Sequence, residues 1–262
     1  MQAKVPILTY HSIDNSGSVI SMASEQFRFQ METLKNRNFH VISLKELVDS
    51  MRGKQPLDHK TVVITFDDGF NNFYTSAYPV LKEFGYGATV FLVAGYIGKT
   101  SLWNKGRIGL PVLDLLAWEK VKELSENGID FGAHTVSHHD LSILPLEQTV
   151  QEIYESKEII QNKIEKEVNF FCYPYGKVDD QIKAIAQKEF YGACSTKMDF
   201  VTPKSDIYDL PRIDMYYFSE NSFFRLIGNY GFSLYVILRK AMRYAKNEVK
   251  QKKDTKYISL NE

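Results

Sequence analysis

The chain has 262 residues, of which 44% are hydrophobic, enough for one large α/β domain or two small ones with a substantial core. Lys plus Arg equals Asp plus Glu at 32 each, so the overall charge gives no reason to expect a nucleic-acid-binding protein. The N-terminal residues lack the apolar stretch and cleavage site of a secretory signal, and the apolar residues 232–238 are too few to span a bilayer. The sequence as given therefore predicts a cytoplasmic protein, with envelope association as the alternative.

Strand-like and helix-like segments alternate along most of the chain. Short β-branched and aromatic runs predict strands at residues 6–11, 39–42, 61–64, 88–93, 129–131, 168–176 (running into a Pro/Gly turn), 192–195 and 207–213. Helical spacing of apolar residues predicts helices at residues 24–36, 43–51, 72–84, 118–127, 146–166 and 178–188. Polar, Gly-containing loops are expected at residues 53–59 and 100–111. Roughly seven or eight strands alternating with helices favour an α/β fold whose parallel sheet closes, or nearly closes, into a barrel.

The C-terminal part, residues 219–262, is expected to be a helical extension of a main domain at residues 1–218. It predicts two helices, at about 220–229 and 232–249, followed by a Lys-rich tail that frays. The apolar start of the second helix favours packing on the barrel. Its increasingly basic remainder keeps a membrane-surface or partner-binding helix as the alternative.

Two adjacent carboxylates end the strand at residues 61–64, in the motif TFDDG at residues 65–69. Adjacent residues on an extended strand point to opposite sides, and Gly69 permits a sharp exit from the strand. One carboxylate can therefore bind a metal ion while the other handles a proton. Taken alone, Asp-Asp-Gly is more typical of a turn.

A histidine cluster, GAHTVSHH at residues 132–139, follows another predicted strand. His134 and His138 can both reach one ion, and with one Asp they form a ligand set that leaves coordination positions open, as metal-assisted hydrolysis requires. The same set suits non-haem iron, so residue types alone do not identify the metal. His139 competes for the ligand role.

Two cysteines, Cys172 and Cys194, lie far apart in apolar, strand-like segments. Buried, reduced thiols are expected at both positions, rather than a disulfide or a catalytic thiol.

Three motifs in order, TFDDG at 65–69, HTVSH at 134–138 and YPYG at 173–176, resemble the first three motifs of the polysaccharide deacetylases, the NodB-homology group of carbohydrate esterases. The resemblance covers about residues 5–214. It implies a distorted (β/α)7-type barrel and a hydrolase that removes acetyl groups from N-acetylated sugars by cleaving a linear amide bond. It also implies a divalent metal, Zn²⁺ in most members, with Co²⁺, Ni²⁺ or Fe²⁺ as alternatives.

The resemblance also implies roles for individual residues. Asp68, His134 and His138 would bind the metal, and Asp67 would be the general base that acts on the attacking water. The oxyanion of the tetrahedral intermediate would be stabilised by the metal and by the backbone N–H of Tyr175.

The general acid departs from the usual family pattern. No His follows His139, so the C-terminal Leu-x-His motif of most members is absent. The segment LTYHS at residues 8–12 instead resembles the subgroup with an N-terminal catalytic His, the poly-N-acetylglucosamine deacetylases. His11 is therefore the candidate general acid, since imidazole exchanges protons near neutral pH; the alternative is a strand-end His that makes a structural hydrogen bond.

The residue that orients the base also departs from the family pattern. Cys172 stands where most members have an Arg beside the base. We hypothesise that Arg212, near another predicted strand end, supplies this cation. Asp214 could equally be the structural partner of Arg212.

The sequence favours one activity and leaves two alternatives open. The leading reading is an N-deacetylase that acts on an acetylated glycan or oligosaccharide; the alternatives are an O-acetyl sugar esterase with the same site and a catalytically silent glycan- or partner-binding module. Aromatic residues that could stack on sugar rings are Tyr10, Phe70, Trp103 and Tyr175.

Overall fold

The structure is a computed structural model that describes residues 4–54 and 60–258, with side chains up to residue 245. Its strands are β1 (Ile7–Tyr10), β2 (Ser12–Ile13), β3 (Ser21–Met22), β4 (His40–Val41), β5 (Thr61–Phe66), β6 (Ala88–Leu92), β7 (Ile129–Ala133), β8 (Phe170–Cys172), β9 (Gly192–Cys194) and β10 (Ile213–Asp214). Its α-helices are α1 (Ser24–Asn36), α2 (Leu44–Met51), α3 (Tyr78–Phe84), α4 (Trp118–Glu126), α5 (Leu146–Ile164), α6 (Asp180–Glu189), α7 (Asn221–Phe224) and α8 (Tyr230–Ile258). Most of the loop predicted at residues 53–59 lies outside the described residues.

The main sheet is parallel and has the strand order β10-β1-β5-β6-β7-β8-β9, with β4 paired to the start of β5. Its two edges meet through the segment that leads into β10. Leu210 bridges to Cys194 in β9, and Ile213 pairs with Leu8 in β1. The sheet therefore curls into the distorted α/β barrel that the sequence predicts, and this prediction is confirmed.

Buried strands explain why the apolar runs are continuous rather than alternating. All residues of β5 and β6 are buried, because one side of each strand faces the barrel interior and the other faces the surrounding helices. Ile7, Val63 and Phe91 belong to the interior cluster, whereas Ile64 and Val90 belong to the cluster under the helices.

Local sequence signals account for several helix boundaries. α1 begins and ends where apolar spacing predicts. α2 begins with the expected capping box: the Ser43 hydroxyl accepts a hydrogen bond from the Glu46 N–H, and the Glu46 carboxylate accepts one from the Ser43 N–H. Gly85, with φ of 69°, ends α3 in the left-handed conformation that glycine adopts without strain.

The helix predicted at residues 72–84 is in fact two pieces. A π-helical turn at Phe73–Ala77 precedes α3. Pro79 lacks the N–H that a continuous α-helix would donate one turn back, so the helix is regular only from the point where Pro79 occupies its first turn.

Other expected elements differ in length. The strand predicted at 207–213 is reduced to β10, since Pro211 cannot donate to a ladder. The helix predicted at 220–229 is only α7, followed by a turn in which Gly228 has φ of 78°.

α8 is longer than predicted. Its backbone remains helical through part of the Lys-rich tail that was expected to fray, to Ile258, because Lys and Gln are good helix formers. None of the described helices combines the length and apolar character that a membrane span needs.

Candidate metal and catalytic site

The functional candidates meet at the carboxyl ends of the parallel strands. Asp67 and Asp68 follow β5, His134 follows β7, and His11 follows β1. Asp67 continues the inward alternation of Val63, which belongs to the barrel interior. Because parallel strands end at the same edge of a sheet, residues that are distant in sequence converge there.

The turn after β5 separates the two carboxylates. Asp68 has φ of 70°, and Gly69 also has φ of 70°. Glycine suits this left-handed turn, and a Cβ at Gly69 would lie 2.6 Å from Leu92 Cδ2, so a larger residue would also have to displace the Leu92 side chain. A left-handed non-glycine residue costs free energy that the surrounding contacts must offset, and such residues concentrate at functional sites.

Asp68, His134 and His138 form a buried group with metal-ligand spacing, which we call the metal pocket. Asp68 Oδ1 lies 3.6 Å from His134 Nε2 and 3.2 Å from His138 Nε2. One ligand atom from each residue can be chosen so that all three lie within 4.8 Å of one another. Among the described residues, Asp68 Oδ1 has no hydrogen-bond partner.

The orientation of His134 is set by a backbone carbonyl. Its Nδ1–H donates a 2.6 Å hydrogen bond to the Cys172 carbonyl, which leaves Nε2 facing Asp68. Burial, with a smaller contribution from His138, lowers the pKa of His134 to about 4. The ring is therefore neutral near pH 7, and Nε2 presents the lone pair that metal ligation requires.

Aromatic side chains hold His138. Its Nδ1 lies 3.1 Å from the Tyr175 hydroxyl, which itself donates to the His138 carbonyl at 3.4 Å. This arrangement places the proton of the ring on Nδ1 and the lone pair of Nε2 towards Asp68. Trp103 stacks on the His138 ring, with a ring-centroid distance of 4.9 Å and an interplanar angle of 20°.

The loop between the two histidines is braced from α5. The Glu152 carboxylate accepts hydrogen bonds of 2.9 Å from the N–H groups of both Val136 and Ser137. Within the loop, Thr135 Oγ1 accepts from the His138 N–H at 2.9 Å. These bonds stabilise a backbone in which Thr135 has φ of 67° and His138 has φ of 61°.

The metal pocket fits a divalent cation. A carboxylate oxygen without a donor faces two imidazole lone pairs in a buried site, and three acceptors in contact repel one another unless a cation lies between them. Nitrogen and oxygen ligands suit Zn²⁺ and other transition ions.

A second group, Asp67, His134 and Cys172, has similar spacing but does not fit a metal. Both Asp67 oxygens are bound by Arg212. Burial raises the pKa of the Cys172 thiol, which keeps it protonated and therefore a poor ligand.

Asp67 lies in a different setting, which we call the base pocket and define as Asp67, Arg212, Cys172 and Thr65. Arg212 Nη1 and Nη2 donate to Oδ1 and Oδ2 of Asp67, each at 2.7 Å. Burial raises the pKa of Asp67, but the charge and hydrogen bonds of Arg212 outweigh it and hold that pKa well below the usual range.

The other donors of Arg212 are also satisfied. Nε donates to the Ser195 carbonyl at 3.0 Å, and Nη1 reaches Thr65 Oγ1 at 3.3 Å. Nη2 lies 3.0 Å from Cys172 Sγ. Cys172 therefore leaves room for the guanidinium of Arg212, which comes from the residue before β10.

His11 lies beside the base pocket. Its Nε2 is 3.8 Å from Asp67 Oδ2, and its side chain is 27% exposed. The Asp67 N–H donates to the Tyr10 carbonyl at 3.0 Å, so the backbone of β1 fixes the distance between His11 and Asp67.

The predicted loop at residues 100–111 reaches the metal pocket through Trp103. It also contributes Arg107, which sequence reasoning missed; its guanidinium lies 4.8 Å from the centre of the Tyr175 ring. Trp103 and Tyr175, the latter 36% exposed, are thus aromatic residues beside the metal pocket that a ligand can contact.

Other candidates lie outside the cluster. The His139 side chain is 64% exposed and faces Glu152, so it is not grouped with Asp68. Asp214, the alternative partner for Arg212, instead accepts from the Tyr216 N–H at 3.1 Å. Tyr10 and Phe70 are buried in the core, so they pack inside the protein and cannot stack on a sugar, the other possibility that the sequence left open.

Glu152 and Thr135 were not identified from the sequence. Thr135 lies inside the histidine motif at residues 134–138, so the sequence already placed it next to a candidate metal ligand. Glu152 lies on α5, fifteen residues after Ser137, and its spacing carries no local signal.

Comparison with known proteins identifies the family to which this chain is similar. The pattern of the polysaccharide deacetylase family matches residues 54–192. The chain is 32% identical over 204 residues to the poly-β-1,6-N-acetyl-D-glucosamine N-deacetylase of Staphylococcus epidermidis, a match that covers 74% of this chain and 67% of that protein. It is also 32% identical over 189 residues to YxkH of Bacillus subtilis, covering 72% of this chain; this chain therefore spans 63% of the length of YxkH.

Solved structures share the barrel. The Streptococcus pyogenes deacetylase PplD, in complex with acetate, superposes with a TM-score of 0.71 at 25% identity, covering 82% of this chain and 93% of PplD. IcaB from Ammonifex degensii has the same TM-score at 22% identity, covering 80% of this chain and 91% of IcaB; at this identity the match supports the fold alone.

Proposed function

Because this chain belongs to the polysaccharide deacetylase family, we propose that it is a metal-dependent hydrolase that removes N-acetyl groups from N-acetylhexosamine units of a glycan. The observation that carries the proposal is the division of labour between Asp68 and Asp67. One carboxylate faces two imidazoles with a free oxygen, and its neighbour is held separately by Arg212.

In this proposal Asp68, His134 and His138 hold the cation. A divalent ion bound there would supply Lewis-acid chemistry, polarising the acetyl carbonyl and making a water molecule more acidic. The short Nδ1 hydrogen bond of His134 to a backbone carbonyl supports this role, because it fixes the ring with Nε2 towards the ion.

Asp67 is the general base. The lowered pKa of Asp67 keeps the carboxylate ionised at neutral pH, so it is ready to accept a proton from the attacking water in each turnover. The bidentate contact with Arg212 fixes its orientation, and orientation is worth a large part of the rate in general-base catalysis.

His11 is the general acid. It lies 3.8 Å from Asp67, just outside hydrogen-bonding distance. In this proposal the protonated imidazole donates its proton to the departing amine and then regains the proton that Asp67 took from water, once the two groups close to hydrogen-bonding distance. The partial exposure of the His11 side chain favours this role, since the leaving sugar nitrogen must approach from the solvent side of the barrel.

The oxyanion is stabilised in part by the backbone N–H of Tyr175. Tyr175 has φ of 59° inside the short turn Pro174–Gly176, and Pro174 restricts the conformation of this turn. A Cβ at Gly176 would lie 2.0 Å from Thr196 Oγ1, so the tight turn depends on a glycine there.

The substrate is an N-acetylated glycan or oligosaccharide. The support comes from the S. epidermidis relative, whose described activity is N-deacetylation of poly-β-1,6-N-acetyl-D-glucosamine. An O-acetyl esterase would use the same residues and also release acetate. The deciding assay measures free amine alongside acetate on defined N-acetylglucosamine oligomers and O-acetylated sugars; acetate without amine would reject the N-deacetylase.

The mechanism is tested with two variants. Asp67→Asn should retain the metal, measured by elemental analysis, yet lose turnover by a factor of about 10² to 10⁴. His134→Ala should lose both metal and turnover. Full activity in either variant contradicts the proposed roles, and absence of turnover in the wild type on every acetylated oligomer would favour a silent binding module.

A further inference from the structure

α8 presents a strip of apolar side chains to solvent. The exposed apolar residues between 43% and 83% accessible are Tyr230, Leu234, Ile237, Leu238, Met242 and Tyr244; we call them the outer strip. Successive residues of an α-helix are about 100° apart, so the outer strip falls within about 160° of the helix circumference. Monomeric proteins rarely leave such a continuous apolar surface uncovered unless it binds something.

The charged residues of this part of α8 avoid the outer strip. Arg239, Lys240 and Arg243 all lie at least about 120° from its middle. The Arg239 Nε donates to the Tyr235 hydroxyl at 2.9 Å, and Lys240 Nζ lies 2.5 Å from an Asp199 carboxylate oxygen. Polar contacts therefore form on the side towards the barrel, and apolar groups point away from it.

Packing on the barrel fixes this orientation of the helix. Phe232 and Val236 are buried, and the Phe232 ring lies 4.8 Å from the Phe218 ring. Rolling the helix to bury the outer strip would expose both residues and break the Lys240 ion pair with Asp199. An external partner is thus the way to cover the strip.

Charge identifies the kind of partner. Residues 230–258 contain eight Lys or Arg and two Asp or Glu, although the whole chain is balanced at 32 of each sign. A second copy that docked through the same helix would bring two strongly basic segments together. Three of the basic residues lie on the side towards the barrel, and the other five follow the strip at positions 246–256. An anionic surface with an apolar interior would accept the outer strip and attract this basic continuation of the helix, as for helices that lie in a membrane interface.

We propose that α8 lies along an anionic lipid membrane, with its outer strip in the interfacial region and the barrel on the solvent side. The proposal does not depend on the activity of the metal pocket.

The test compares two double variants of the full chain in co-sedimentation with vesicles of equal parts phosphatidylglycerol and phosphatidylcholine. Leu234→Glu with Leu238→Glu should lower vesicle affinity at least about tenfold. The matched control is Val150→Glu with Tyr154→Glu on α5, which has the same i, i+4 spacing and added charge and similar exposure, 41% and 47% against 43% and 53%. It should bind as the wild type does.

Three further measurements control for lipid charge, for folding and for the choice of variant. The wild type should bind pure phosphatidylcholine vesicles more weakly, because the lipid charge is removed. Circular dichroism checks that the double variant folds, and Met242→Glu gives a second, single perturbation of the strip. Equal sedimentation of the wild type and both strip variants, absence of wild-type binding to anionic vesicles, or a dimer that the strip variants dissociate would each overturn the proposal.

Discussion

Asp67 and Asp68 are neighbours in one motif, yet the base pocket and the metal pocket treat them in opposite ways. In the base pocket, both carboxylate oxygens receive hydrogen bonds from one guanidinium. In the metal pocket, an oxygen of Asp68 has no donor among the described residues and faces two imidazole lone pairs. A fully hydrogen-bonded carboxylate thus lies next to one that has an oxygen without a hydrogen-bond donor.

The difference shows how one dipeptide can supply two chemical roles. An internal cation neutralises Asp67 and fixes its direction, so this carboxylate needs no external ion. Asp68 is buried without such a cation, and burial of an uncompensated carboxylate is costly. We therefore expect that a cation bound at Asp68 would lower the free energy of the folded protein.

The largest expected effect comes from removing the charge of the metal pocket. Asp68→Asn should abolish tight metal binding and lower kcat/KM by about 10³-fold or more, because a neutral amide is a weak ligand and cannot balance the ion. Metal content after dialysis and acetate release measure the two effects. Normal metal content in this variant would contradict the assignment.

The base pocket is tested by Arg212→Gln. It leaves Asp67 buried without a cation, which should cost about 3 to 5 kcal/mol in the free energy of unfolding by urea. The pKa of Asp67 should rise, so the acidic limb of the kcat/KM profile should move to higher pH. Arg212→Lys is the control, since it keeps the charge without the bidentate contact; an acidic limb that does not move in Arg212→Gln would reject the pairing.

In the metal-free protein, the free energy of unfolding should depend on pH because His134 is neutral when it is buried. The pKa of His134 is lowered to about 4 in the folded protein, against roughly 6.5 when unfolded. The unfolded chain therefore binds the proton more readily between these values, and stability should rise with pH from about 4 to 6.5, by roughly 3 kcal/mol.

Urea unfolding in the presence of a chelator measures this slope. His134→Gln should flatten it, whereas His139→Gln, at an exposed position, should leave it unchanged. An identical slope in both variants would show that another group titrates in this window.

The smallest effect is expected from removing Glu152, which holds the loop between the two histidines of the metal pocket. Glu152→Ala removes the acceptor for the Val136 and Ser137 N–H groups, and loss of such support typically weakens metal binding about 10- to 100-fold. Titration calorimetry of the metal-free protein measures the affinity. Glu155→Ala, an exposed acid on the same helix, should have no effect, and equal affinities for the two variants would limit Glu152 to a role in folding.

The sequence by itself determined the barrel, the metal-ligand candidates and the position of the candidate base. These are local properties: apolar runs of strand length, Asp-Asp-Gly at a strand end, and two histidines within one short loop. Strand alternation also predicts that the two carboxylates separate, and a parallel sheet brings the strand ends to one edge.

Only the tertiary structure decided which distant side chains contact the site residues. Arg212 and Asp67 are 145 residues apart, and no local pattern distinguishes Asp67 from Asp214 as the partner of Arg212. The bracing by Glu152, the burial of Tyr10 and Phe70, and the outward side of α8 likewise depend on how distant elements pack. Periodicity reports which residues share a face of an element, but the neighbouring elements decide what that face touches.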